Sequence, residues 1–284
     1  MVENKNIEIL EECPWCTSKN NVDWGGGKRG FYSVICQDCQ LIYVKNRYNS
    51  TGLKNYYENY LSDTHQNNEQ ELADRSKMYQ LESEYIQQYI SSGRVLDVGC
   101  SAGYFLDCFN DKYFQCSGVE FGAEAARESS KKYKVYQGEF NTIDIEDKFD
   151  LIIFRGVIEH IPYPKTYLDK AISLLNKGGY IYITSTPDSN AFCCDLFKES
   201  WNQHDPEAHL MHFNRTHFKE FFNKKNMNYI DSKHFYRESP YCNIESDILK
   251  VANAIKLKNK GEDISFESPA FYENMMSLIY RKPF

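Results

Sequence analysis

Long apolar runs are missing from these 284 residues, and none approaches the roughly 20 residues needed to cross a bilayer. The opening stretch MVENKNIEILEE is acidic and lacks an apolar centre, so no secretory signal is expected. Basic excess is missing as well. Against 33 Lys and Arg stand 40 Asp and Glu, a formal charge of −7. That balance counts against a nucleic-acid grip, in which phosphate contacts dominate affinity. The short cluster KKYK near 131 reads as a solvated helix end. There is no internal repeat and no long low-complexity tract. Ten cysteines without an export signal point to reduced thiols or metal ligands rather than a disulfide framework. A soluble, cytoplasmic protein is the expectation.

What is present is enough for one α/β domain and a small accessory module. Hydrophobic residues make up 42%, with 22 Tyr and 18 Phe, a composition that folds. From 78 to 90 the apolar positions Leu81, Tyr85, Ile86 and Tyr89 recur at helical spacing, and Gly93 ends that helix. Beyond it the pattern alternates: strands at VLDV, CSGVEF, KVYQGEF, FDLIIFRG and YIYITST, helices at YFLDCFNDK, AEAARESSKKY and PKTYLDKAISLLN. The last helix is closed by KGG. Apolar strands alternating with helices predict a doubly wound, mostly parallel, Rossmann-like sheet covered on both faces. After Pro187 come an aromatic loop with several histidines, the helix RTHFKEFFNKKN and the strand YIDSKHFY. The predicted division is residues 1–45 as a zinc-ribbon module, 46–92 as a helical linker or lid, 93–238 as the core and 239–284 as a C-terminal extension.

Cys13-x2-Cys16 and Cys36-x2-Cys39 have the spacing of a four-thiolate structural zinc site. A redox dithiol would open a helix in a thioredoxin-like pattern, which this segment lacks. Four thiolates leave no open position for a substrate, so the expected role is structural, with the metal supplying folding energy.

In VLDVGCSAGYF, residues 95–105, a buried strand breaks into five small residues and restarts as a predicted helix. In an open parallel sheet such a turn lets a ligand approach the backbone at the carboxyl end of a strand. It is neither a G-x-G-x-x-G fingerprint nor a Walker A loop, since position 101 is Ser and no Gly-Lys-Ser/Thr follows. Glu120 ends the next strand, where a carboxylate can accept both hydroxyls of a ribose, with Phe121 beside it to lie along an adenine.

VLDVGCSAGYF together with GVEFG, GEF and FDLIIFRGVIEHIPYP resembles the class I S-adenosylmethionine-dependent methyltransferases over residues 93 to 235. The resemblance implies that Asp97, Gly99, Cys100 and Gly103 line the methionine part of the cofactor. It implies further that Glu120 holds the ribose hydroxyls, Phe121 flanks the adenine, Glu139 and Phe140 meet the adenine edge, and Arg155 lies beside the cofactor. Ser101 stands where the family often has a further Gly. The N-terminal CQDCQLIYVKNRYNSTGLKNYYENY and the later HDPEAHLMHFNRTHFKEFF resemble segments of methyltransferases that modify sugars in bacterial surface polysaccharides and deoxysugar pathways. Sugar C-methyltransferases of that group carry a further C-terminal domain for which this length leaves no room, which favours O-methylation.

A sugar hydroxyl needs a base as the new bond forms, and His is the usual choice. His160 in IEHIP is the first candidate, the alternative being a histidine that caps the loop before Pro162. His209 and His212 in PEAHLMHF are the second, the alternative being packing or surface residues. Glu159 reads as orienting the loop. Ubiquinone-biosynthesis O-methyltransferases with a similar EH stretch carry an acid three positions earlier, where this chain has Gly156, so no metal site is copied from them. Tyr56, Tyr57 and Tyr60 read either as a lid over cofactor and acceptor or as a packed face of a helix. The expected activity is methylation of a sugar or nucleotide-linked sugar hydroxyl. An RNA base methyltransferase with a zinc module is the alternative; the acidic charge and the TPDS at 186–189, in place of an Asn/Asp-Pro-Pro-Tyr motif, count against it. A cofactor-binding scaffold without turnover is the third reading.

Overall fold

The computed structural model describes residues 4–64 and 69–284. In chain order its elements are β1 (Ile7–Ile9), β2 (Asn21–Lys28), β3 (Phe31–Cys36), β4 (Ile42–Val44), β5 (Asn46–Tyr48), α1 (Ser50–Thr64), α2 (Glu69–Gln87), β6 (Gly93–Val98), β7 (Phe114–Glu120) and α3 (Ala123–Ser129). They continue with β8 (Lys134–Gln137), β9 (Phe149–Arg155), α4 (Pro164–Leu174), β10 (Leu175–Pro187), α5 (Phe192–Phe197), β11 (Met211–His212), α6 (Arg215–Lys224), β12 (Asn228–Lys233), α7 (Ile244–Lys260) and β13 (Met275–Arg281). Among the described residues no helix is long and apolar enough to cross a membrane.

Seven strands form the central sheet in the order β12-β13-β10-β9-β6-β7-β8. β8, β7, β6, β9 and β10 run parallel, and β13 is antiparallel to both of its neighbours. The apolar runs dictate this. Along β9, Phe149, Ile152 and Phe154 enter one core while Leu151 and Ile153 enter the core on the other face. A strand buried on both sides must read as a continuous apolar run and needs a cover on each face. The strand order reverses between β6 and β9, which opens a crevice at their carboxyl ends.

Two expectations are corrected. YFLDCFNDK forms no α-helix; only Leu106–Cys108 make a 3-10 turn. The glycine turn is therefore followed by further turns rather than by an α-helix. Residues 239–284 are no separate appendage either, because β13 sits inside the central sheet, paired with β10 from Tyr180↔Arg281 onward.

The N-terminal module is also joined to the core. Its sheet has the order β11-β4-β3-β2, so a strand from beyond residue 210 completes it, with Met211 opposite Tyr43 and His212 opposite Ile42. Trp15 packs edge-on against Phe213 and Phe218 and tilted on Phe221, inside the larger core.

Candidate active site

Gly99 ends β6 with φ +79°, and a Cβ there would come within 2.6 Å of Val157 Cγ2. Only glycine meets both conditions. Ser101 is left-handed too, at φ +49°, which accounts for the frequent Gly there in the family it resembles. Its N–H donates to Glu120 Oε2 at 2.8 Å, and Gly122 N–H donates to Glu120 Oε1 at 2.7 Å. The carboxylate of β7 is thus aimed across the turn with lone pairs to spare. Burial raises its pKa, against the pull of those two N–H groups.

Asp97 is the most constrained acid. It is 2% exposed and its Oδ1 has no hydrogen-bond partner. Burial pushes its carboxyl up to about 7, with Arg155 opposing and Glu120 adding to the shift. Arg155 Nε donates to Glu82 Oε2 at 2.6 Å, and its guanidinium stacks over Tyr79, 4.3 Å from the ring centre. Glu82 is itself buried on α2 and also accepts from Thr184 Oγ1 at 3.1 Å. A buried charge needs this pairing.

These groups border one cavity of about 770 Å³, within the range of cofactor sites. Asp97, Gly99, Cys100, Glu120, Phe121, Glu139, Phe140, Arg155 and His160 all line it. Gly103, His209 and His212 do not. Gly103 serves the turn instead, at φ +87° against the Tyr133 ring. The cavity fits S-adenosylmethionine: the orphaned buried oxygen of Asp97 calls for a cation such as the methionine ammonium, and Glu120 has acceptor capacity for ribose hydroxyls.

His160 Nδ1 lies 2.9 Å from the Ala208 carbonyl and His209 Nδ1 lies 2.7 Å from the Gln203 carbonyl. A carbonyl only accepts, so both Nδ1 atoms carry the proton and both Nε2 atoms keep the lone pair. The two rings stand 4.8 Å apart, and nitrogen or oxygen atoms of Glu159, His160 and His209 lie within 4.8 Å of one another, near enough to share a divalent cation. Burial, helped by His209, holds the His160 imidazole down at about 3, hence neutral. Burial raises Glu159 to about 8. His212 is sealed elsewhere, edge-on to Trp201 and with Nε2 3.0 Å from His204 Nδ1, so the structure removes it from the candidate bases.

Residues without a motif complete the cavity: Tyr57 from α1, Arg75, Tyr79 and Glu82 from α2, and Asn202 and Gln203 from the loop before β11. Tyr57 was read in advance as part of a lid or a packed helix face, and Glu82 had a signal as a charge on the same helical stripe as Met78, Tyr85 and Ile86. Tyr57 meets His160 edge-on at 6.4 Å. The side chain of Tyr60 lies outside the described residues.

In the N-terminal module Cys13 Sγ and Cys39 Sγ are 3.6 Å apart and Cys16 Sγ and Cys36 Sγ 3.5 Å apart, all four within 4.8 Å. A tetrahedral zinc with bonds of about 2.3 Å needs sulfur pairs about 3.8 Å apart. Both knuckles end alike, with Thr17 and Gln40 at φ +63°. A hydrogen bond from Cys39 draws Cys13 down to about 5 while Cys39 is pushed up, so without a cation the four sulfurs cannot all ionise. The donor set fits zinc.

Residues 64–232 match the profile of the methyltransferase domain family. An uncharacterised protein of Methanocaldococcus jannaschii is 29% identical over 124 residues, 43% of this chain and 58% of that protein. A ubiquinone biosynthesis O-methyltransferase of Hydrogenovibrio crunogenus is 22% identical over 138 residues, 45% of this chain and 57% of that one. The chain thus spans little more than half the length of these relatives. Among solved structures, magnesium protoporphyrin IX methyltransferase from Synechocystis with bound SAH has a TM-score of 0.56 at 10% identity, covering 82% of this chain and 100% of that one. A SAM-dependent methyltransferase from Thermotoga maritima has a TM-score of 0.53 at 17% identity, covering 81% and 99%. Sheet order, glycine turn and family match agree: the chain belongs to the class I S-adenosylmethionine-dependent methyltransferases.

Proposed function

We propose that this methyltransferase O-methylates a sugar hydroxyl, on a small sugar or nucleotide-linked sugar in bacterial capsule, polysaccharide or nucleotide-sugar biosynthesis. Its N-terminal module holds one structural zinc ion in this reading, and it works in the cytoplasm. The observation that carries the reading is His160 at the wall of the cofactor cavity, its Nδ1–H tied to a carbonyl and its Nε2 lone pair unprotonated.

When bound, S-adenosylmethionine supplies a methyl group activated by its sulfonium for in-line displacement. An alkyl hydroxyl is too weak an acid to react without a proton acceptor. His160 Nε2 takes that proton while the bond to the Ala208 carbonyl keeps the ring from turning. The dry surroundings hold the imidazole neutral and resist its charging, so the proton moves late, as the oxygen engages the methyl carbon. Glu159, protonated at neutral pH because burial raises its carboxyl to about 8, lies beside the two histidines without adding charge. His209 supports the ring from behind, and Tyr57 shields that side of the cavity.

RNA bases are a poorer fit. Asp188 of TPDS faces His234 at 3.1 Å and Arg215 at 3.8 Å and does not line the cavity. The test is S-adenosylhomocysteine release from zinc-replete protein with a panel of nucleotide-linked sugars and with total RNA. Turnover on a sugar is expected; turnover on RNA alone overturns the reading, and cofactor binding without turnover on any acceptor supports the scaffold.

A further inference from the structure

An indole N–H can only donate. Trp201 Nε1 donates to the side chain of Asn274, so the atom it meets is Oδ1, and Asn274 Nδ2 faces the other way. That Nδ2 lies 2.9 Å from the side chain of Asn202. Because Nδ2 too can only donate, it meets Asn202 Oδ1. Ser268 Oγ accepts from Asn202 N–H at 3.0 Å and reaches the same Oδ1 at 3.2 Å. The orientation of Asn202 thus follows from a donor-only group two steps away. Its Oδ1 is engaged inside the protein, and its Nδ2 has no partner among the described residues. Asn202 lines the same cavity as His160, and the carbonyl of the next residue, Gln203, holds His209.

We propose that Asn202 determines acceptor specificity, its Nδ2 donating to an acceptor oxygen adjacent to the hydroxyl that faces His160. The substrate class is then a 1,2-diol, as a sugar ring presents, and an acceptor with a single hydroxyl or an amine leaves the amide unpaired. This deepens the sugar reading and rests on it. Asn274 and Trp201 act through Asn202 and are positioning residues.

The test uses the full chain, ¹⁵N-labelled, with S-adenosylhomocysteine bound. It is titrated with the methyl glycosides of glucose, galactose and mannose, and separately with cyclohexanol and with catechol. The side-chain amide signals of Asn202 are assigned by their loss in Asn202→Asp. They are expected to move with at least one glycoside and to ignore cyclohexanol. Trp201→Phe keeps an aromatic ring but frees the amides to flip, and should weaken that glycoside about fivefold while leaving S-adenosylhomocysteine affinity unchanged. Equal movement with cyclohexanol, or none with any diol, overturns the proposal, as does unchanged glycoside affinity in Trp201→Phe. Movement with catechol and with no glycoside upholds the role of Asn202 and sinks the sugar reading. Sugar turnover with Asn202 signals that no diol moves does the reverse.

Discussion

The cofactor side of the cavity and the side around His160, which we propose receives the acceptor, are built differently. The first comes from the turns after β6, β7, β8 and β9, each set by its own strand. The second is assembled from segments far apart in the chain. Val44 N–H donates to the Leu210 carbonyl at 3.0 Å, and Leu210 N–H donates to the Glu159 carbonyl at 2.9 Å. The backbone that carries His209 is therefore clamped between the N-terminal module and the loop of His160. The acceptor side should fail when the module fails, and the cofactor side should survive.

The largest effect tests that separation. A structural zinc is worth on the order of 10 kcal/mol to the folding of a module this small. Cys13→Ser, or chelation, should release β4, misplace His209 and cut turnover by about 10²–10⁴, the scale of a lost proton acceptor. S-adenosylhomocysteine affinity by calorimetry should persist; its loss would break the comparison. His160→Ala comes next, with kcat down by about 10²–10⁴ and cofactor affinity unchanged. A fall in cofactor affinity instead would place His160 on the other side.

A smaller effect sharpens the cofactor side. With its carboxyl raised to about 7, Asp97 stays protonated in the free protein where the unfolded chain has already ionised. Its contribution to stability is full below the unfolded value near 4 and is lost as pH rises through 7. A bound ammonium requires the ionised form. S-adenosylhomocysteine affinity should weaken by up to about tenfold per pH unit below 7, and Asp97→Asn should flatten that slope. The smallest effect is at Ser101. Relief of the left-handed strain in Ser101→Gly is offset by the extra freedom of glycine in the unfolded chain, so stability in denaturant titration should stay within about 0.5 kcal/mol.

Local chemistry explains what could be read in advance. The turn at Gly99 and the acid at Glu120 were legible because each stands at a strand end whose apolar run announces it, whereas Asp97 and Arg155 were placed by the resemblance to the methyltransferase family. The four cysteines were legible because two short knuckles need no distant partner to be recognised. His209 was named as a direct candidate but stands outside the cavity lining with its ring 4.8 Å from that of His160, while His212 is buried in a different cluster. Their spacing in PEAHLMHF could not show this, since pairing of β11 with β4 decides which way each residue faces.

Composition, periodicity and spacing were enough for the parallel sheet, the small-residue turn and the thiolate quartet, because strand burial and metal-ligand spacing are properties of short segments; it was the resemblance to the methyltransferases that gave the turn to the cofactor. The place of β13 within the sheet, the Arg155–Glu82 pair, the lone-pair direction at His160 and the fixed amide of Asn202 were decided in tertiary structure alone. Each depends on a hydrogen bond or packing contact between residues 48 to 101 positions apart. No local pattern encodes such a partner, because the chain must fold before the two groups meet.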